Sequence, residues 1–220
     1  FYPTFITGLS GNGKTFMVEQ ACAKANRDLV RVNVTIETDE DDLFGGFRLV
    51  NGETKWFDGP VIQAMKLGAV LLLDEVDLAS TRIMALQPVL EGKGVLLKKI
   101  NQFVAPAPGF NIVATANTKG QGNESGKFVG TGILNEAFLE RFVITMEQEY
   151  AKDATEKKIL VKLLESHGLT DQDDYADRLV RFAYLVREGY KNQSLDDIIS
   201  TRRLVHMINA FAIFQDEEKA

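Results

Sequence analysis

Residues 8–15 contain the most informative side chains of the sequence, because they read Gly-Leu-Ser-Gly-Asn-Gly-Lys-Thr and fit the pattern G-x-x-x-x-G-K-[ST]. Backbone N–H groups of such a turn, together with the N-terminus of the next helix, converge on an anionic phosphate. Lys14 adds a positive charge for β- and γ-phosphates, and the Thr15 hydroxyl can ligate Mg²⁺. The alternative is a glycine-rich turn that caps a helix and binds no ligand. The predicted nucleotide contacts are Gly8, Ser10, Gly11, Asn12, Gly13, Lys14, Thr15 and Phe16.

Two carboxylates, Asp74 and Glu75, directly follow the apolar residues 69–73. Such a run is typical of a strand buried on both faces, and ligands bind at the carboxyl edge of open α/β sheets. We therefore predict that Asp74 helps to hold Mg²⁺, directly or through water, and that Glu75 polarises the water that attacks a γ-phosphate. The alternative is an acidic turn after a core strand, which the motif at residues 8–15 disfavours.

These groups need a sheet to position them, and the sequence predicts one. Strand-like runs alternate with helical stretches such as residues 16–25, which indicates βαβ units and a parallel sheet. We expect an α/β nucleotide-binding domain over residues 1–149. The predicted strands are Thr4–Thr7, 29–34, 69–73, 111–115 and 142–146.

The pattern changes after residue 149, where strand signals stop and helical periodicity recurs. In the stretch Thr201–Phe214, the side chains of Leu204, Ile208 and Phe211 fall on one face of a helix. We expect a small α-helical domain over residues 150–220. Its predicted helices cover residues 156–167, 174–187 and 201–214.

Two hairpin insertions are predicted within the α/β domain. Residues 47–57 contain Asn51-Gly52, which favours a two-residue turn, and residues 95–104 place two β-like runs around a polar centre. The candidate partner contacts on the hairpins are Trp56, Phe57, Lys98 and Lys99, and the alternatives for them are local packing of the aromatic rings and solvation of the lysines.

Composition narrows the class of protein. The chain has 220 residues and a net charge of −6, which disfavours a surface devoted to nucleic acid. Cys22 is the only cysteine, so an internal disulfide is excluded. We expect Cys22 to be a small buried side chain and the protein to reside in a reducing cytoplasm. His167 and His206 lack zinc spacing, and no run reaches the length of a membrane span. Because the sequence begins at Phe1 and soon enters a strand, we expect a piece of a longer chain.

An acidic run over residues 37–42 could suggest a cation site. We favour a solvated helix start instead, with Thr38 as the N-cap and the carboxylates near the positive end of the helix dipole.

The motifs together resemble an AAA+ ATPase with a three-layer P-loop core and a helical lid. The resemblance implies three further site residues. Asn117, in Ala-Thr-Ala-Asn-Thr after the strand at 111–115, corresponds to sensor 1, which orients the attacking water or touches the γ-phosphate. Arg141, in Asn-Glu-Ala-Phe-Leu-Glu-Arg-Phe, corresponds to the arginine finger that reaches the neighbouring subunit's nucleotide. Arg202, with Arg203 as the fallback, corresponds to sensor 2 at the start of a lid helix.

Within AAA+ proteins, the sequence resembles the MoxR and dynein-related group, in which a hairpin precedes the Asp-Glu strand. Residues 114–122, 126–131 and 195–214 resemble the ATPase subunit (CobS) of aerobic cobaltochelatase. One departure is Ser-Thr-Arg at residues 200–202, where relatives often have Ser-Pro-Arg. The glycine-rich residues 120–132 are expected to form a flexible interface loop rather than a second phosphate site, because they lack the Lys-Thr ending.

The resemblance implies a homo-oligomeric ring, usually a hexamer, with Mg-ATP bound at each subunit interface. It favours an ATP-driven subunit that remodels a metallochelatase or another metalloenzyme complex, together with a von Willebrand A domain protein and a large chelatase-like subunit. Two alternatives stay open: a nucleic-acid-directed motor that partners a nuclease, and a nucleotide-gated binding module that hydrolyses slowly or not at all. The acidic balance and the Asp74-Glu75 pair rank both below the first function, and no membrane partner is expected.

Overall fold

The computed structural model describes residues 1–118, 134–170 and 172–216. Its contacts divide the chain into two compact units. The first comprises Phe1–Gly8 and Lys14–Gln148, and the second comprises Leu9–Gly13 and the chain from Glu149 onward. In the part of the chain that is described, no helix has the length and apolar character needed to cross a membrane.

A parallel sheet forms the centre of the first unit. Its strands are β1 (Thr4–Thr7), β2 (Leu29–Asn33), β5 (Val70–Asp74), β8 (Asn111–Ala116) and β9 (Ile144–Glu147). They lie in the order β2-β5-β8-β1-β9, so that β1 pairs with both β8 and β9, although the three strands are far apart in sequence. Between them lie the hairpin strands β3 (Gly45–Val50), β4 (Glu53–Asp58), β6 (Val95–Leu97) and β7 (Gln102–Val104).

Strand β5 shows why the unit has three layers. All five of its residues are buried, and successive side chains point to opposite faces of the sheet. Leu71 and Leu73 belong to the larger core cluster, whereas Leu72 packs in a second cluster with Val18 and Cys22 of the first helix. The continuous apolar run therefore reflects burial on both faces, as in other parallel sheets. The helices of this unit are α1 (Lys14–Lys24), α2 (Glu40–Phe44), α3 (Pro60–Leu67), α4 (Gln87–Leu90) and α5 (Glu136–Leu139).

Cys22 is buried in that second cluster, as expected for a small apolar side chain. Burial raises the pKa of its thiol, and the nearby Arg27 opposes this shift only in part. The thiol is therefore kept in its protonated, unreactive form.

Both hairpins form. Strands β3 and β4 pair antiparallel, and the turn uses Asn51 and Gly52 at positive φ values of 53° and 82°, as a type I′ turn requires. The β3–β4 hairpin exposes Leu49 (76%) to solvent. Strands β6 and β7 also pair antiparallel, and Phe103 is 64% exposed there. Exposed apolar side chains on two-stranded hairpins are candidates for contact with another protein surface.

The candidate partner residues on the hairpins differ in their surroundings. Trp56 is partly buried against the core, and its indole N–H donates to Asp58 Oδ1 at 2.9 Å. Phe57 is exposed, with the Arg48 guanidinium 5.9 Å from its ring centroid. Lys99 forms an ion pair with Asp41. The structure thus supports local packing for Trp56 and leaves Phe57 accessible.

The acidic run begins a helix, but the predicted cap was wrong by one residue. Asp39, not Thr38, is the N-cap of α2, and its carboxylate accepts from the N–H groups of Asp41 and Asp42. Asp42 completes a capping box by accepting from the Asp39 N–H at 3.2 Å. Thr38 is instead buried and accepts from the Thr35 N–H. Within the described residues, no cluster of three or more His, Cys, Asp or Glu side chains could hold a metal ion.

In the described part of the second unit, three helices form the core. Leu204, Ile208 and Phe211 are all buried, which confirms the face predicted from their spacing. They pack with Leu160 and Leu164 of another helix in one apolar cluster. The helices are α6 (Asp153–Ser166), α7 (Asp173–Lys191) and α8 (Thr201–Phe214).

Candidate functional site

The glycine-rich turn leads into α1 at Lys14. Gly11 and Gly13 have φ values of 72° and 89°, a region of backbone conformation that residues with a Cβ rarely adopt. The Lys14 side chain is buried, and its ammonium donates to Gly8 O at 2.7 Å and to Asn117 Oδ1 at 3.1 Å. The predicted phosphate-binding lysine and the predicted sensor 1 residue are therefore in direct contact.

Thr15 and Asp74, the two predicted Mg²⁺ ligands, are also in contact. The Thr15 hydroxyl donates to Asp74 Oδ1 at 2.8 Å, and the Thr115 hydroxyl donates to the same oxygen. A hydroxyl beside a carboxylate suits Mg²⁺, which binds one or two protein oxygens and takes its other ligands from phosphate and water. The donor set of Thr15 and Asp74 therefore fits this ion.

Sequence reasoning missed Arg31, which reaches this carboxylate from the neighbouring strand. Its Nη2 lies 2.6 Å from Asp74 Oδ2, and its Nη1 lies 3.3 Å from Glu19 Oε1. The available signal was a charged residue between two valines of β2, because the pairing of β2 with β5 emerges only in the folded sheet.

Glu75 is exposed immediately after the buried Asp74. Its backbone is left-handed, with φ 58° and ψ 44°, and its N–H donates to Thr115 Oγ1 at 3.2 Å. A non-glycine residue in this region costs about 1 kcal/mol or more, and such strain clusters at functional sites. The turn it creates ends β5 and starts the short 3₁₀ helix Val76–Leu78.

Asp77 is a second residue that the sequence did not single out. It is fully buried, and its Oδ2 accepts from the Asn117 N–H at 2.9 Å, the Thr118 N–H at 3.0 Å and the Thr118 hydroxyl at 3.0 Å. Its Oδ1 has no hydrogen-bond partner among the described residues. Asp77 therefore joins the turn after Glu75 to the backbone of the predicted sensor 1 residue.

Arg141 lies in a different set of contacts. Its Nε donates to Glu91 Oε1 at 3.0 Å, and its Nη1 donates to the carbonyl of Ala137. The hydrogen bonds of Lys93 and Arg141 hold the pKa of Glu91 below its usual value, so this carboxylate is ionised at neutral pH. The structure thus pairs the predicted arginine finger within its own chain.

The residues predicted on the glycine-rich turn and at the start of α8 meet within the second unit. Ser200 is the N-cap of α8, and the Arg202 N–H donates to Gly11 O at 3.2 Å. The Arg202 and Arg203 side chains are exposed. Thr201, which stands where relatives often have proline, donates its hydroxyl to Glu156 Oε1.

Two further predicted contacts of the nucleotide differ in their exposure to solvent. Asn12 is buried, and Phe16 is exposed at the start of α1. The proposed interface loop at residues 120–132 and the CobS-like residues 126–131 lie outside the described residues.

Comparison with protein families gives a match over residues 3–130, to the family described as AAA domain (dynein-related subfamily). Subunit CobS of the aerobic cobaltochelatase of Sinorhizobium sp is 30% identical over 96% of this chain and 65% of its own length. Protein NorQ of Paracoccus denitrificans is 33% identical over 93% of this chain and 71% of its own length. Midasin of Giardia intestinalis is 28% identical over 96% of this chain, which spans only 4% of that protein.

Solved structures share the fold at low identity. A putative ATPase from Cytophaga hutchinsonii superposes with a TM-score of 0.59 at 16% identity, over 99% of this chain and 71% of the other. A RuvB variant from Thermotoga maritima superposes with a TM-score of 0.58 at 15% identity, over 100% of this chain and 65% of the other. The predicted α/β P-loop fold and the resemblance to MoxR-like and CobS-like proteins are confirmed, and the chain belongs to the dynein-related subfamily of AAA domains.

Proposed function

We propose that the chain binds Mg-ATP at residues 8–15 and hydrolyses it to ADP and phosphate. The observation that carries this proposal is the pair of contacts Lys14–Asn117 and Thr15–Asp74. These contacts join the phosphate-binding turn to the carboxyl ends of two neighbouring strands, where α/β proteins bind nucleotides.

The residues have separate tasks in this reaction. Lys14 neutralises charge on the β- and γ-phosphates, and Asn117 orients the attacking water. Glu75 accepts a proton from the attacking water, and the oxygen of this water forms a bond to the γ-phosphorus. At the same time the bond between the γ-phosphorus and the β,γ-bridging oxygen breaks, and ADP leaves. Thr15 and Asp74 would hold Mg²⁺, which would neutralise charge on the phosphates.

We propose further that hydrolysis drives the remodelling of a partner complex by a homo-oligomeric, hexameric ring. In this arrangement Arg141 acts on the neighbouring subunit's nucleotide and Arg202 acts on the nucleotide of its own chain. Support comes from the relative CobS, which is a subunit of the aerobic cobaltochelatase. The partners would be a von Willebrand A domain protein and a large chelatase-like subunit.

Glu75→Gln tests both levels of the proposal. ATP hydrolysis by the wild type should exceed that of Glu75→Gln by at least about 100-fold, because general-base groups contribute that much. Both proteins should bind ATP, and Glu53→Gln, at an exposed glutamate of the β3–β4 hairpin, should hydrolyse ATP like the wild type. A wild type that binds ATP without exceeding Glu75→Gln would contradict ATPase activity and indicate a nucleotide-gated module.

The partner is tested with Glu75→Gln loaded with ATP as bait in a native lysate. Recovery of a von Willebrand A protein or a large chelatase-like subunit supports the remodelling function. Recovery of a nuclease or of DNA that is lost at high salt would contradict it and indicate a nucleic-acid motor.

A further inference from the structure

Two carbonyl groups of the glycine-rich turn, those of Ser10 and Gly11, accept from donors in the second unit, to which both residues also belong. Tyr150 Oη donates to Ser10 O at 2.9 Å, and the Arg202 N–H donates to Gly11 O at 3.2 Å. A turn that directs its N–H groups toward an anion must direct its carbonyl groups elsewhere, and these need partners of their own. The two donors therefore stabilise the backbone orientation that phosphate binding requires.

The Tyr150 ring is held in place by a buried ion pair. The Arg187 Cζ atom lies 4.0 Å from the centroid of the ring, which is cation–π geometry. Arg187 in turn makes a bidentate pair with Glu156, at 2.7 and 3.0 Å, and donates to Ile199 O at 2.8 Å. Because the guanidinium is fixed at three atoms, the phenol stacked on it has little freedom to leave Ser10.

The protonation state of Tyr150 suits a donor. Burial raises the pKa of its phenol, and the Arg187 charge offsets this only in part. The hydroxyl therefore keeps its proton at neutral pH.

The same ion pair also supports the second donor. Glu156 is fully buried and accepts from the Thr201 hydroxyl at the start of α8. Ser200, the N-cap of this helix, lies so close to Gly11 that a Cβ added to Gly11 would be 2.5 Å from Ser200 Oγ. One buried pair thus holds both Tyr150 and the start of α8, which donate to Ser10 and Gly11 of the turn.

We propose that Tyr150 and the Glu156–Arg187 pair are positioning residues that set the affinity of the glycine-rich turn for the triphosphate of a nucleotide. The proposal rests on the proposed function, because it takes ATP as the ligand of the turn. A buried ion pair is weak evidence for stability alone, since well-packed apolar residues often replace such pairs without loss. Two chains of contact from one pair to the same turn favour a positioning role.

Tyr150→Phe removes only the hydroxyl and leaves the stacked ring in place. In the full chain, we expect the Kd for a fluorescent ATP analogue with Mg²⁺, and the KM for ATP, to rise about fivefold, which corresponds to about 1 kcal/mol. The kcat at saturating ATP should stay within about twofold, because Tyr150 donates to the turn and not to the reacting groups. The matched control is Tyr184→Phe, at an exposed tyrosine of α7.

Arg187→Lys keeps the charge but loses the planar, bidentate geometry, so it should raise the same Kd. If the pair were purely structural, Arg187→Lys would lower the free energy of unfolding and leave the Kd of the folded protein unchanged. An unchanged Kd for Tyr150→Phe, with circular dichroism matching the wild type, overturns the inference while the proposed function stands. A wild type that fails to bind the analogue refutes the proposed function instead.

Discussion

The guanidinium of Arg31 lies 2.6 Å from Asp74 Oδ2, so the carboxylate predicted to hold Mg²⁺ already has a cationic partner on the neighbouring strand. Oδ1 of the same carboxylate accepts from Thr15 and Thr115. Both oxygens are thus engaged within the protein, so the proposed Mg²⁺ ion would share Asp74 with a positive charge.

Replacing Arg31 with Gln should tighten Mg²⁺ binding, because a repulsive charge next to the ion is removed. We expect the Mg²⁺ concentration at half-maximal ATP hydrolysis to fall about threefold, a modest effect because Arg31 is 44% exposed and screened by water. A Mg²⁺ titration at saturating ATP measures it, with Arg178→Gln in the surface pair with Asp174 as the control. A higher Mg²⁺ requirement would show that Arg31 instead orients the carboxylate for the ion.

Asp77→Asn should separate catalysis from nucleotide binding. The amide oxygen can still accept from Asn117 and Thr118, but the negative charge of the carboxylate is lost. The new NH₂ group takes the place of Oδ1, which has no hydrogen-bond partner among the described residues. We expect kcat to fall at least about tenfold with the Kd for ATP within threefold, and the free energy of unfolding to drop by about 1–3 kcal/mol. Steady-state kinetics and urea unfolding measure these quantities. A rise in Kd with kcat intact would contradict a role through Asn117.

Arg141 and Glu91 can be tested as a pair. If Arg141 acts on a neighbouring subunit, its bond to Glu91 must open, so Arg141→Ala should abolish turnover while ATP binding stays measurable. Glu91→Gln weakens the pair that holds Arg141 and should keep or raise turnover. Equal losses in the two variants would mean that the pair is structural.

Mixing experiments test whether the site is shared between subunits. Arg141→Ala added to the wild type should lower activity more steeply than dilution alone, because each mixed ring contains defective interfaces. Activity that falls only in proportion to the wild-type fraction refutes the shared site.

Gly11→Ala should weaken nucleotide binding for a reason specific to its surroundings. The new Cβ would lie 2.5 Å from Ser200 Oγ and 2.6 Å from Ser200 Cβ, at a φ of 72°. Gly52→Ala is a matched control, because Gly52 has a φ of 82° and nothing within 4 Å of an added Cβ. Both variants carry backbone strain of about 1 kcal/mol, but only Gly11→Ala should also raise the Kd for ATP, by at least about tenfold.

Local patterns accounted for much of the fold. The apolar run at residues 69–73 predicted a buried strand, and Asn51-Gly52 predicted a hairpin turn, because both signals depend on neighbouring residues alone. The bounds of α8 matched Thr201–Phe214, where a serine cap and a regular apolar face agree. The N-cap of α2 was misplaced because threonine and aspartate are both good caps, and only the wider packing selects between them.

The part of the site that was predicted also depends on local sequence patterns. Lys14, Thr15, Asp74 and Asn117 belong to motifs with fixed spacing, and the structure brings them into contact. The hydrogen-bond partners of Asp77 and Arg31 lie 40 and 43 residues away in sequence, and the partner of Tyr150 lies 140 residues away. No local sequence pattern therefore marks these three residues. Glu156 and Arg187 were expected only as members of helices, and their burial depends on tertiary packing.

The place of β1 in the sheet affects how the protein is made. In the sheet, β1 lies between β8 and β9. Its second neighbour is therefore available only after Glu147, the last residue of β9, has been synthesised. On a ribosome that adds about 5–20 residues each second, the first strand therefore waits on the order of 10 s for both neighbours. Until then at least one backbone edge of β1 lacks its partner strand, so this nascent segment, which leads into the proposed phosphate-binding turn, is open to chaperones that bind extended chains.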